Sequence, residues 1–145
     1  MRLSAKSEYA IQAVLDLAMR TSQDLVPIQA IAGRQKIPQR YLEQVLLALK
    51  RGGLVASRRG SSGGYHLARP PDAITVGDVL RAVEGAAAPF EALTGRRPPR
   101  DGHDLRELWT EISDAVASVV DRLTFGELAA RALERDDRAR PMYHI

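Results

Sequence analysis

Between Leu54 and Arg69 the chain reads LVASRRGSSGGYHLAR, in which two short apolar runs, Leu54-Val55-Ala56 and Tyr65-His66-Leu67, flank Arg58-Arg59-Gly60-Ser61-Ser62-Gly63-Gly64. Few structures accept that pattern. Runs so short, joined by glycines that supply the positive φ of a tight turn, specify a β-hairpin. Its tip has nothing apolar to bury. Arg58, Arg59, Gly60, Ser61 and Ser62 present guanidinium forks, hydroxyls and bare backbone N–H groups, all of them ligands for phosphate or for a DNA minor groove. An ordinary solvated hairpin has the same local pattern, so the residues upstream decide.

Those residues read as two helices and a sharp turn: Gln29 to Gln35, then Lys36-Ile37-Pro38, then Gln39 to Lys50. Proline is at home at a first helical position, where its missing N–H has no partner to lose, so Pro38 marks the start of the second helix. In that helix Leu42, Val45, Leu46 and Leu49 fall on one face. Arg40, Gln44, Leu47 and Arg51 point the other way, with Gln39 and Glu43 on the flanks. Arg forks onto guanine, Gln onto adenine, and Glu accepts from the cytosine amino group, so this face is suited to reading base edges. Helix, turn, helix and basic hairpin in that order is the winged-helix layout.

Charge is divided to match. Residues 1–70 hold 11 Lys and Arg against 4 Asp and Glu, a net +7, whereas residues 71–145 hold 10 against 14, a net −4. The modest overall charge of +3 thus conceals a basic half of the sign that attracts a polyanion and releases its counterions. The chain has no cysteine, which removes disulfides, thiol redox chemistry, cysteine zinc fingers and thiolate-held clusters together. Its three histidines, His66, His103 and His144, are scattered without a nucleophile–base pattern, so no enzyme is expected. No stretch approaches the roughly 18 apolar residues of a membrane span, and the N-terminus lacks a signal peptide's apolar region; a cytoplasmic protein is expected.

At 145 residues and 45% hydrophobic the chain can bury a core of useful size. A first helix is predicted from about Ser4 to Arg20, with Ala10, Ile11, Val14, Leu15 and Ala18 as its buried stripe and Arg2 and Lys6 placed to hold a backbone phosphate. Thr75 caps a short helix running to Glu84. Gly85 to Gly102 shows no periodicity and reads as a long regulatory loop, whose Arg96, Arg97 and Arg100 favour an acidic ligand or surface. Periodicity returns from Asp104 to Leu123, where Leu105, Leu108, Trp109, Ile112, Ala115, Val116, Val119, Val120 and Leu123 make a stripe spanning on the order of 30 Å. That is more apolar surface than a small hairpin-bearing domain covers, so the helix is read as a dimerisation helix. Thr124 then opens a last helix to about Arg135. The expected organisation is mainly α: a winged helix-turn-helix DNA-binding domain with a two-stranded wing over 1–84, a variable loop over 85–103, and a dimerisation helix with a C-terminal helix over 104–145.

The chain also resembles the IscR/NsrR/CymR family of bacterial winged-helix transcription regulators, often written Rrf-2. The resemblance lies in Met1-Arg-Leu-Ser4 with Lys6, Tyr9 and Ala10; in Ile37-Pro38 with Tyr41-Leu42-Glu43-Gln44; in Arg59-Gly60 with Gly63-Gly64-Tyr65; in Ile74-Thr75-Val76 with Val83-Glu84-Gly85; and in Leu108-Trp109 with Thr124. It covers nearly the whole chain. It implies a homodimer on a partly palindromic double-stranded operator, with the helix after Pro38 in the major groove, the Arg59-Gly60 tip in the minor groove, and Tyr9 among the DNA-facing residues.

Many members of that family hold an iron–sulfur cluster on three loop cysteines, and this chain has none of them. His103 stands at the third position, so no cofactor is expected. Three readings stay open. The first is a cluster-free repressor controlled by a small molecule or a protein partner. The second has the same fold sensing a divalent metal through Glu8, His103 and Asp104, and the third is an interaction module that no longer binds DNA.

Overall fold

The computed structural model describes residues 3–20, 24–85, 89–91 and 105–139. Helix α1 (Ala5–Ala18) is capped by Ser4, whose hydroxyl accepts the Ser7 N–H at 3.1 Å. Its buried positions are Ser7, Ala10, Ala13, Val14, Asp16 and Leu17, whereas Ile11, Leu15 and Ala18 are only half-buried. The predicted single stripe is thus too narrow. Other elements pack on α1 from several sides, so it is a central helix and not one lying on a surface.

Asp16 explains how an acid is tolerated there. Its carboxylate takes a two-pronged bond from Arg34 at 2.9 and 2.8 Å and a third bond from Gln35 at 3.1 Å, both residues lying on helix α2 (Ile28–Gln35). Burial by itself pushes the carboxyl up, but the bonds from Arg34 and Gln35 and the charges of Arg34 and Arg20 outweigh it and hold Asp16 below the ordinary carboxylate value.

Lys36 ends α2 in the left-handed conformation and Ile37 plugs into the core, which turns the chain sharply into helix α3 (Gln39–Arg51). The helix starts at Gln39 as expected, and Pro38 marks that start as the cap before it and not from the first helical position. Its carbonyl accepts from Tyr41 and Leu42, and the missing N–H is of no consequence there.

The hairpin follows as strands β1 (Val55–Arg58) and β2 (Gly64–Leu67), antiparallel, with Val55 opposite Leu67 and Arg58 opposite Gly64. A third line of backbone joins it. Val26 and Tyr65 exchange two hydrogen bonds of 2.9 Å, a one-residue pairing that no hydrophobic pattern announces. Gly64 is what permits that approach, because a Cβ there would stand 2.6 Å from the Val26 carbonyl.

After a 3-10 turn at Pro71–Ala73, helix α4 (Val76–Glu84) starts from a reciprocal cap. Thr75 Oγ1 accepts the Asp78 N–H and the Asp78 carboxylate accepts the Thr75 N–H, both at 3.0 Å. Its last residue, Glu84, accepts the Ser7 hydroxyl at 2.8 Å and so ties α4 back to α1. Helix α5 (Arg106–Arg122) and helix α6 (Phe125–Ala139) complete the described chain. The predicted start of α5 at Asp104 lies outside the described residues. Helix α6 runs four residues past its predicted end at Arg135, through a charged stretch with an i,i+4 pair of opposite sign, Glu134 with Arg138.

One core serves both halves. Val120 and Phe125 belong to the same buried cluster as Val14, Leu46 and Leu80. Val76 N–H donates to the Leu123 carbonyl and Phe125 N–H to the Ile74 carbonyl, each at 2.9 Å, and Arg81 forks onto Asp121 at 2.6 and 2.8 Å. The buried cluster therefore draws on residues of both 1–84 and 104–145.

Candidate nucleic-acid interface

Helix α3 is sharply two-faced. Leu42, Val45, Leu46 and Leu49 are fully buried, each contributing about 1.5–3 kcal/mol of transfer free energy, and this fixes the opposite face outward. There Gln39, Arg40, Glu43, Gln44 and Leu47 are all exposed.

Between this face and the hairpin lies an open groove of about 670 Å³, lined by Glu43, Leu47 and Lys50 on α3, by Arg58, Arg59, Gly60 and Ser61 on the hairpin, and by the first residues of α2. Arg40, Gln39 and Gln44 are exposed on α3 outside that lining, as is Ser62 on the tip. Lys50 donates to the Ser57 hydroxyl at 2.7 Å, so helix and hairpin are linked directly. Lys50 is a residue of this surface that was not expected from sequence. Its spacing from Glu43 and Leu47, at i+7 and i+3, was the available signal.

The tip is held by its glycines. Gly60 has φ +114° and its carbonyl accepts the Gly63 N–H at 3.0 Å, while a Cβ on Gly63 would stand 2.1 Å from the Arg58 carbonyl. Gly60 and Gly63 thus set the backbone path that carries Arg59 and Ser61.

On α1, Lys6 is half-buried and Tyr9 meets Tyr41 of α3 edge-on, the ring centroids 5.3 Å apart. Tyr9 thus reaches the α3 surface through Tyr41. Arg2 lies outside the described residues.

Along α5 the predicted stripe splits in two. Leu105, Leu108, Ile112 and Val119 are exposed, large and apolar. Val116 is half-buried, and Val120 and Leu123 pack into the protein's own core. Trp109 is half-covered by Phe90, ring centroids 6.2 Å apart and edge-on. Phe90 itself is buried although it falls in the stretch read as a loop without pattern.

Residues 3–131 match the Rrf2 family, described as an iron-dependent transcriptional regulator. The chain belongs to the Rrf2 family. It is 38% identical over 130 residues to the HTH-type transcriptional regulator CymR of Bacillus subtilis, covering 90% of this chain and 91% of that one. It is 37% identical over 142 residues to IscR of Vibrio cholerae, covering 95% and 82%. Among solved structures it is similar to CymR, the global cysteine regulator of B. subtilis, with a TM-score of 0.74 at 37% identity over 90% of this chain and 98% of that one. IscR of T. potens gives the same TM-score at 33% identity, over 97% and 91%. The fold is the winged helix-turn-helix of Rrf2 regulators, and relatives of this kind are transcription regulators, not enzymes.

The iron of the family's description does not fit the donors of this chain. It has no thiolate to offer, Glu8 is exposed at the start of α1, His103 and Asp104 lie outside the described residues, and no group of three metal-ligating side chains occurs among the described residues. Among those residues no helix is long and apolar enough to cross a membrane.

Proposed function

We propose that this Rrf2 member is a cytoplasmic, homodimeric repressor that binds a partly palindromic operator without an iron–sulfur cluster and answers to a small molecule or a protein partner. The observation that carries the reading is the groove formed jointly by α3 and the hairpin, with Glu43 and Lys50 facing Arg58 and Arg59 across it. In this reading α3 enters the major groove, where Arg40, Glu43 and Gln44 meet base edges, and the Arg59-Gly60 tip enters the adjacent minor groove. Lys6 and Arg2 meet phosphates. The exposed apolar residues of α5 support pairing with a second copy, which sets two half-sites about one helical turn apart.

Selection of bound fragments from a genomic DNA pool by the purified full-length protein tests this. An inverted repeat bound by a dimer, and tightly in metal-free buffer, is the expected result. Recovery of no preferred sequence would leave the interaction-module reading in its place, and binding that required added divalent metal would favour the metal reading.

A further inference from the structure

Beside β2, with no residue of α3 in its lining, is a second cavity of about 440 Å³, a volume in the range that small-molecule sites occupy. Its lining includes the apolar side chains of Leu17 on α1, Val26, and Leu67 on β2. The His66 ring forms part of the wall, and Arg20, Asp24 and Arg69 supply its charges.

The ion pairs of Arg20 with Asp16 and of Arg69 with Asp78 are both long. Arg20 stands 3.6 Å from Asp16, whose oxygens are already taken by Arg34 and Gln35 at 2.8 to 3.1 Å. Arg69 stands 3.8 Å from the Asp78 oxygen that accepts the Thr75 N–H. Ion pairs so long and so exposed contribute little, so re-aiming either guanidinium toward another anion costs little. Arg20 and Arg69 outweigh Asp24 in the lining, and a carboxylate within reach of either would gain the forked hydrogen bonds that arginine offers best.

The cavity is also joined to the DNA side. Strand β2 lends His66 and Leu67 to it and Gly64 and Tyr65 to the groove beside α3, and Val26, in the lining, holds Tyr65 by two backbone bonds. An occupant therefore touches the strand that positions the tip.

We infer that this cavity is an effector site for a small monocarboxylate with an apolar body, and that filling it changes the hold of the hairpin on DNA. The coupling to DNA rests on the function proposed above, whereas the binding itself does not. Full-length protein is titrated with benzoate, hexanoate and the uncharged benzamide, followed by calorimetry and by amide NMR shifts. Both carboxylates are expected to bind saturably and to move the His66 and Leu67 resonances. Benzamide should not bind, and the Arg20→Ala/Arg69→Ala variant should lose carboxylate binding while still unfolding in one cooperative transition. Carboxylate and amide binding alike, or neither carboxylate binding at about 1 mM, overturns the site without reference to any variant. With an operator in hand, saturating benzoate should change its Kd by about fivefold or more. An unchanged Kd overturns the coupling. Failure to find an operator, with benzoate still bound, strikes the proposed function and leaves the site standing.

Discussion

Thr75 and Thr124 face each other in an isolated antiparallel bridge, and each hydroxyl accepts an N–H from the first turn of the helix that follows it. Two helix starts are thereby set back to back, and α4 and α6 leave from a common point.

The two caps differ in strength. Thr75 accepts at 3.0 Å and is reciprocated by Asp78, whereas Thr124 accepts from Glu127 at 3.2 Å. Thr75→Ala is expected to cost about 1–2 kcal/mol and Thr124→Ala about 0.5–1 kcal/mol in urea unfolding. A larger loss at Thr124 contradicts the ranking.

The two forked ion pairs should separate even more. Arg34→Ala strands a buried carboxylate at Asp16 and should cost about 3 kcal/mol, whereas Arg81→Ala breaks a half-exposed pair and should cost less than about 1 kcal/mol. The pH dependence has a definite sign. Asp16 is held below its ordinary value in the folded protein, so its contribution is present above the unfolded value of about 3.9 and is lost as pH falls through the folded one. Melting temperature should therefore drop steeply below about pH 4, and less steeply in Asp16→Asn. Parallel curves for the two proteins would show that Asp16 is not the responsible group.

Substitutions at the proposed DNA surface should differ in kind. Arg59→Ala should weaken operator binding by about 1–3 kcal/mol with no change in melting temperature. Gln44→Ala or Glu43→Ala should alter which base pairs are preferred, and Lys6→Ala should weaken all sequences alike. Binding-site selection with each variant checks this, and preferences that moved with Lys6 and not with Gln44 would reverse the proposed docking.

Two glycines offer a matched pair. A Cβ at Gly64 collides with the Val26 backbone, whereas one at Gly33, on exposed α2, meets nothing within 4 Å. Gly64→Ala should destabilise by more than about 2 kcal/mol, and Gly33→Ala should stabilise by about 0.5–1 kcal/mol. Thermal unfolding distinguishes them, and a neutral Gly64→Ala would mean that the Val26–Tyr65 pairing is dispensable.

The α5 face gives the last of these tests. Ile112→Asp, on the exposed apolar stripe, should give monomers or insoluble protein, because a carboxylate in a closed seam loses water without gaining a partner. Light scattering of the wild-type chain at micromolar concentration should show a dimer. A wild-type monomer would remove the seam.

What was legible from sequence was whatever repeats along a chain. The buried face of α3, the Thr75 cap and the hairpin are written in spacing or in turn chemistry over a few residues, and they appear where expected. Asp16 with Arg34, Val26 with Tyr65 and Phe90 with Trp109 are single encounters between distant positions, and no period marks them. The α5 stripe shows the intermediate case. Periodicity identified an apolar face correctly, but it could not tell that Val120 and Leu123 would be covered from within the chain while Leu108 and Ile112 would not.

Phe125 is fully buried in the cluster that also holds the α1 and α3 side chains, and that fact orders events during synthesis. A nascent chain emerges from its N-terminus, so the helix-turn-helix and hairpin leave the ribosome well before the residue that closes the hydrophobic interior beneath them. Until then that interior lies open to water on one side. Residues 1–84 must wait for Phe125, and a product truncated after Glu84 is expected to leave exposed the apolar surface that Phe125 covers.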